Sequence, residues 1–447
     1  MAEAKLTNDT KKPTMTERQR VSVLEKLWLT YYNDTLYEKG LITEEEIRTA
    51  CEHLFRTRFR LGLFDEQDGF EGLGLADIAN EEHATLALRC AEKGMVLLKN
   101  DGILPLDETK LRSVAVIGPN ATSIDALRGN YYGTSCRNVT FLDGISQALA
   151  GKARVYYSEG CALNGRSVEY LAQEQDRLAE AKAMAEAADV TILCLGLDAT
   201  IEGEEGDEGN AFVGGDKTTL ALPACQQELL DAVLGVSGNV IVVLAVGSSL
   251  NIGDDRPRAL LQTWYPGEAG GTALANLLFG KAAPSGKLPV TFYESADRLP
   301  DFSDYSMKDR TYRYTRDNVL YPFGYGLTYG ELCAEALTAE EGRATITVAN
   351  TGTTDCEDVL QLYIRDEGSP HEVPYCRLCG FLRVKLRAGE RGQFVLPLEE
   401  KCFTVVNDDG QRVPGSGKYR LWAGFCSPGQ RGEELTGKSC LSTLYTR

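Results

Sequence analysis

Histidine is scarce: His53, His83 and His371 are the whole supply in 447 residues. Chemistry built on imidazole clusters has little to work with, so carboxylates must carry any acid and base work. Long apolar runs are missing as well. No stretch approaches the roughly 18 to 20 residues that cross a bilayer, and the opening MAEAKLTNDTKKPTMTERQR has no apolar core of the kind a secretion signal needs. The expectation is a cytoplasmic protein with no membrane partner. Basic residues are in deficit, 47 Lys and Arg against 65 Asp and Glu, for a formal net charge of −18. Such a surface repels phosphate backbones, which argues against a nucleic-acid partner and leaves a neutral or cationic ligand as the better fit.

Cysteine is plentiful at 13, but the number is odd and the residues are scattered through periodic segments, as reduced core thiols are. One close pair, Cys376 and Cys379 in YCRLCGF, has CxxC spacing without a second pair or a nearby His to complete a tetrahedral site. Its residues alternate with apolar ones, so it reads as a strand with two small side chains ahead of redox or metal chemistry. With no phosphate-cradling glycine loop and no credible ligand spacing, neither a metal nor a cofactor is expected.

Hydrophobic residues at 43% with 25% charged describe an ordinary globular chain, long enough for two or three domains. Apolar residues at helical spacing run from Thr16 to about Phe64 and predict two helices, the second opened by a capping box of Thr43 and Glu46. Asp65 to Asn80, rich in Gly and acidic residues, reads as a linker. A helix is expected from Glu81 to Leu98, then strands at Val114–Gly118, Ala153–Tyr157, Val190–Gly196, Val240–Val246 and Ala259–Trp264, with helices at Leu171–Ala188 and Pro223–Val236 between them. Several of these strands are unbroken Val, Ile, Leu and Ala, as strands buried on both faces are. The fold class is therefore α/β, with a mainly parallel sheet covered on both sides. From about Tyr329 the texture becomes short alternating strands, RATITVAN, FLRVKLRAGERGQFVLPL and KYRLWAGF among them, which predict an all-β sandwich. The expected division is 1–80 for helical arm and linker, 81–328 for the α/β domain and 329–447 for the sandwich.

The loop after the Val190–Gly196 strand, LDATIEGEEGDEGNAFVGGDKTTLALP, holds Glu202, Glu204, Glu205, Asp207 and Glu208 within seven residues. In open α/β sheets ligands gather at the carboxyl ends of strands. Carboxylates this dense raise one another's pKa, and an acid still protonated near neutrality can deliver a proton to a leaving oxygen. The same composition also suits a solvated surface loop. Calcium is a third reading, although the spacing does not match an EF-hand. Pattern alone leaves these open.

A resemblance covering most of the chain favours the first. The loop resembles the acid/base loop of glycoside hydrolase family 3 in its β-xylosidase and β-glucosidase branch, through EGEE at Glu202–Glu205 and GGDK at Gly214–Lys217. GMVLLKNDGILPL from Gly94, VAVIGPNA from Val114, GNYYGTS from Gly129, WYPGEAGGTALANLLFGKAAPSGKLPVTF from Trp264, and RTYRY with LYPFGYGLTY between Arg310 and Tyr329 match that family's motifs in order. The end resembles its fibronectin type III-like domain. The resemblance implies Glu204 as general acid/base, with Glu202 as runner-up, and a β-linked xyloside or glucoside as substrate. Tyr131 and Tyr132 are candidates for lining a sugar subsite. Trp264, Tyr265 and Phe323 read as packing, and Gly118, Gly267, Gly270, Gly271 and Gly286 as backbone requirements.

In that family the nucleophilic Asp comes from a preceding (β/α)8 barrel, which takes on the order of 200 residues. Only about 80 precede the α/β domain here. They resemble the stretch after the barrel's last strands, so no residue of this chain is assigned as nucleophile. A split enzyme with a second chain carrying the barrel, a fragment of a longer protein, or a homologue that has lost hydrolysis would each fit. Met1 with its polar, Lys-rich lead tips the reading slightly toward a natural start. The alternative function is a non-catalytic glycan-binding or scaffold protein.

Overall fold

A computed structural model describes residue 37 and residues 39–64, 72–165, 176–203 and 217–447, and the chain divides into two compact units, residues 1–78 and 79–447. In the first unit, helix α1 (Glu44–Arg60) starts at the expected capping box: the Thr43 amide donates to Glu46 Oε2 at 2.8 Å, and the Glu46 amide donates back to Thr43 Oγ1 at 3.2 Å. Acidic residues fill its first turn and Arg58 and Arg60 its last, the charge order that the helix dipole favours. Of the earlier predicted helix, only Tyr37, which is helical, and the last residues Lys39 and Gly40 are described; the rest lies outside the described residues.

The second unit opens with helix α2 (Glu81–Gly94), which stops four residues short of the expected end at Leu98. Met95 is extended, and Val96–Asn100 forms strand β1 instead. Val96, Leu97 and Leu98 are all fully buried. A helix would bury one side of that run, whereas a strand between two layers buries both. The remaining elements of the layer follow as β2 (Ser113–Ile117), α3 (Phe141–Ala148), β3 (Arg154–Ser158), α4 (Asp176–Ala187), β4 (Val190–Gly196), α5 (Ala224–Leu234), β5 (Val240–Ala245), β6 (Ala259–Gln262) and α6 (Gly270–Leu278). The first residues of the expected Leu171–Ala188 helix fall outside the described residues.

The sheet order is β1-β6-β5-β4-β2-β3, parallel throughout except for β1, which runs antiparallel to β6. Successive residues serve opposite faces. Val116, Ile192, Cys194 and Val243 pack with Phe141, Ile145 and Leu274 of α3 and α6, while Ile117, Leu193, Leu195 and Val242 pack with Ala185, Leu229 and Val233 of α4 and α5. After β3 the chain returns to the other side of β2 to form β4, so the crevice between the carboxyl ends of β2 and β4 is the point where strand order reverses.

Two β layers follow: β7 (Leu332–Glu340), β8 (Arg343–Asn350) and β11 (Arg391–Pro397) in one, with order β11-β8-β7, and β9 (Cys356–Asp366), β10 (Arg377–Leu386), β12 (Lys418–Gly424) and β13 (Leu441–Thr446) in the other, with order β10-β9-β12-β13. They enclose Ile346, Val348, Leu360, Leu362, Val384 and Leu421. Cys379 lies on β10, and the buried thiol of Cys376 just before it reaches the Tyr312 carbonyl at 3.9 Å. Phe323 stacks on Tyr312 at 4.1 Å between ring centroids, and Trp264 meets Phe292 edge-on at 6.2 Å.

Candidate active site

The segment leaving β4 turns at once. Asp198 accepts hydrogen bonds from the Thr200 amide at 2.9 Å and the Thr200 hydroxyl at 2.6 Å, and its own carbonyl accepts from the amides of Ile201 and Glu202. This short turn, an Asp capping the residues after it, swings Glu202 across the ends of β5 and β6. There its carboxylate accepts from the Gly247 amide at 2.7 Å, from the Ser248 hydroxyl and from the Tyr265 hydroxyl. Lys217, at the far end of the acidic loop, brings its Nζ to 4.0 Å from Glu202 Oε1 and donates to the Ser249 carbonyl.

Electrostatics at this anchor are those of a buried polar cluster. Burial, and then the negative charge of Glu202, push the Tyr265 hydroxyl well above the ordinary tyrosine range, which keeps it a donor. Burial holds the Lys217 ammonium below the ordinary lysine range, and Glu202 opposes that. Loop entry and loop exit are thus tied at one point of the sheet's carboxyl edge. Glu204, the expected acid/base, and Gly214 to Asp216 of GGDK lie outside the described residues.

The segment after β2 closes the other side of the crevice. Asn120 Nδ2 donates to the Leu197 carbonyl at 3.1 Å, and Asn130 Nδ2 to the Glu202 carbonyl at 3.0 Å. Tyr131 and Tyr132 follow directly, with side chains 89% and 52% exposed. The Arg128 guanidinium sits over the Tyr132 ring at 4.3 Å. Gly129 makes the approach possible: at φ +63°, a Cβ there would lie 2.7 Å from the Tyr265 ring. The structure therefore brings Glu202 together with the neighbours of Tyr131 and Tyr132. Sequence reasoning named Lys217 only as the end of GGDK, read Tyr265 as packing, and missed Ser248 and Asn130 as groups that hold the loop.

A family model described as the glycosyl hydrolase family 3 C-terminal domain matches residues 95–329, more than half of the chain. The chain belongs to glycosyl hydrolase family 3. A second family model, the fibronectin type III-like domain, matches residues 358–427 of this family 3 chain.

Among curated relatives, Beta-D-xylosidase 1 of Arabidopsis thaliana is 37% identical over 317 residues, covering 68% of this chain and 38% of its own length. The Beta-xylosidase of Formosa agariphila is 30% identical over 423 residues, 89% of this chain and 56% of its own. A Periplasmic beta-glucosidase of Salmonella typhimurium is 28% identical with the same two coverages, 89% and 56%. Solved structures agree. A β-glucosidase of Erythrobacter marinus superposes with TM-score 0.75 at 32% identity, over 92% of this chain and 56% of that one. The family 3 β-glucosidase of Bifidobacterium adolescentis gives TM-score 0.75 at 26% identity, over 96% and 60%. The chain spans between 38% and 63% of the length of the curated relatives it matches. Among the described residues no helix is long and apolar enough to cross a membrane.

Proposed function

We propose that this chain supplies the acid/base part of a retaining β-glycosidase acting on β-xylosides or β-glucosides. Glu204 is the proton-transferring group, and the nucleophilic carboxylate comes from a (β/α)8 barrel outside these 447 residues. The arm and linker are residues 1–80, the α/β domain 81–328 and the fibronectin type III-like domain 329–447. The relatives' names, β-xylosidase and β-glucosidase, support the substrate class.

The observation that carries the reading is the anchorage of Glu202. A carboxylate accepting from an amide and two hydroxyls, with the Lys217 ammonium 4.0 Å away, is held in place on three sides, so it serves as the fixed base of the loop. The next carboxylate along, Glu204, follows one glycine later and is the better candidate to reach a glycosidic oxygen. In the first step Glu204 protonates that oxygen as the sugar passes to the nucleophile; in the second it takes a proton from the water that releases the sugar. Tyr131 and Tyr132 offer aromatic faces to the pyranose beside it.

The test is hydrolysis of aryl β-xylosides and β-glucosides by the chain alone and mixed with a family 3 barrel protein, with Glu204→Gln as control. Activity that needs the barrel and is lost in Glu204→Gln is expected. No turnover in any mixture, together with failure of the two proteins to associate, would replace this reading with a non-catalytic scaffold.

A further inference from the structure

All thirteen cysteines are free thiols, and six of them meet in pairs drawn from separate segments. Cys161, in the loop after β3, and Cys225, in the first turn of α5, adjoin: the Cys225 thiol lies 3.3 Å from the carbonyl of Ala162, next in sequence to Cys161. Cys379 of β10 adjoins Cys402, whose thiol lies 3.9 Å from the Cys379 carbonyl. Cys426 and Cys440, which flank the connection between β12 and β13, form the third pair, with the Cys440 thiol 3.4 Å from the Cys426 carbonyl. A disulfide requires Cβ atoms about 3.5–4.5 Å apart. A thiol 3.3–3.9 Å from the backbone carbonyl at or beside its partner cysteine puts the two side chains side by side, within reach of that geometry through side-chain rotation and small backbone movement. The CxxC spacing is misleading here, because Cys379 faces Cys402 and not Cys376.

We propose that these pairs are modification sites forming three reversible disulfides, Cys161–Cys225, Cys379–Cys402 and Cys426–Cys440, by exchange with a small-molecule disulfide such as glutathione disulfide, with Cys161–Cys225 forming first. The thiolate of one cysteine attacks the reagent, forms a mixed disulfide and expels one glutathione thiolate. The partner then loses its proton, attacks the protein sulfur of the mixed disulfide and expels the second. The protein loses two electrons and two protons per pair, and one glutathione disulfide becomes two glutathione thiols.

Accessibility sets the order. Cys161 and Cys225 are both half-buried, whereas Cys402 and Cys426 are buried. The neighbouring Cys161 thiol also draws the Cys225 thiol below the ordinary thiol range, against its burial, and so favours it as the attacking group. The pair lies against the site's foundations. Gln226, next in sequence to Cys225, accepts from the Gly196 amide at 2.8 Å and donates to the Gly196 carbonyl at 2.7 Å, at the end of β4.

The experiment uses the full chain, reduced and then incubated with glutathione disulfide at about pH 8, where thiolate is well populated. Samples are blocked with N-ethylmaleimide and digested without reductant for mass spectrometry. The expected result is three linked peptides with the stated partners, Cys161–Cys225 leading. Thiols titratable in denaturant should fall from thirteen to seven as six enter bonds, and dithiothreitol should restore all thirteen. Cys161→Ser should trap Cys225 as a lasting mixed disulfide with glutathione. Mixed disulfides at Cys225 of the native chain that never resolve onto Cys161, linkage among other partners, or no loss of thiols would each overturn the proposal.

Discussion

The hydroxyl of Tyr265 and the carboxylate of Glu202 meet across 63 residues of sequence, and their contact ties the loop entry to the end of β6. A hydrogen bond to a charged acceptor contributes about 1.5–3 kcal/mol. Tyr265→Phe removes only the oxygen, so the expected cost is about 2 kcal/mol, read as a lower urea midpoint with an unchanged slope. An unmoved midpoint would mean that this contact does not hold the loop. At this scale the sequence is an uneven guide. The density of acidic residues from Glu202 to Glu208 and the family motifs around it single out the loop, and the short Asp198–Thr200 turn explains how the chain enters it. The carboxylate's partners come from Gly247, Ser248 and Tyr265, after two other strands. No local periodicity connects them, and Tyr265 inside WYPGEAGG reads as packing until its hydroxyl is placed.

The elements were more legible, because burial on both faces leaves a mark in composition. Unbroken Val, Ile and Leu runs identify β2, β4, β5 and β6, and alternation identifies β8 and β12. Strand β1 escaped because Val96–Leu98 continues the apolar rhythm of α2; only pairing with β6 shows that the helix has ended. The contact between α3 and α6 rests on a missing side chain. A Cβ on Gly271 would lie 1.8 Å from the Thr140 carbonyl oxygen, at the start of α3. Gly271→Ala is therefore predicted to cost about 3 kcal/mol or more, while Gly238→Ala, in open space on the surface, stays within about 0.5 kcal/mol. Equal urea midpoints for the two variants would show that the helices adjust without strain.

Across the whole molecule, the α/β layer and the sandwich are joined by charges that no motif reveals. Lys93 reaches Glu357 at 2.5 Å, and Lys287 reaches Asp358 at 2.7 Å with both side chains almost buried. The Arg383 guanidinium donates to the Ser285 hydroxyl at 2.8 Å, and Gln361 to the Gly324 carbonyl at 2.9 Å. Burial alone would raise the Glu357 carboxyl, but the hydrogen bond and charge of Lys93, with Arg383, outweigh it and hold the group below its ordinary value of 4.5. A depressed carboxylate contributes stability that is complete above the unfolded value and is lost as pH falls through the folded one. Glu357→Gln should thus cost about 1 kcal/mol near neutrality, with the difference from the native chain vanishing below the ordinary carboxylate range. Asp358, which burial raises against Lys287, acts in the opposite sense, so the comparison of the two proteins isolates Glu357. A difference that persists unchanged into acid would refute the clamp.

The role of Glu204 is tested most directly by leaving-group dependence. The native chain and Glu204→Gln, each mixed with a family 3 barrel, are compared by kcat/KM on dinitrophenyl and phenyl β-xylosides. The first leaving group departs without protonation; the second needs an acid. The account predicts a loss of about 10²- to 10⁴-fold on the phenyl xyloside and little loss on the dinitrophenyl one. Equal losses on both, or none on either, would contradict Glu204 as the proton donor.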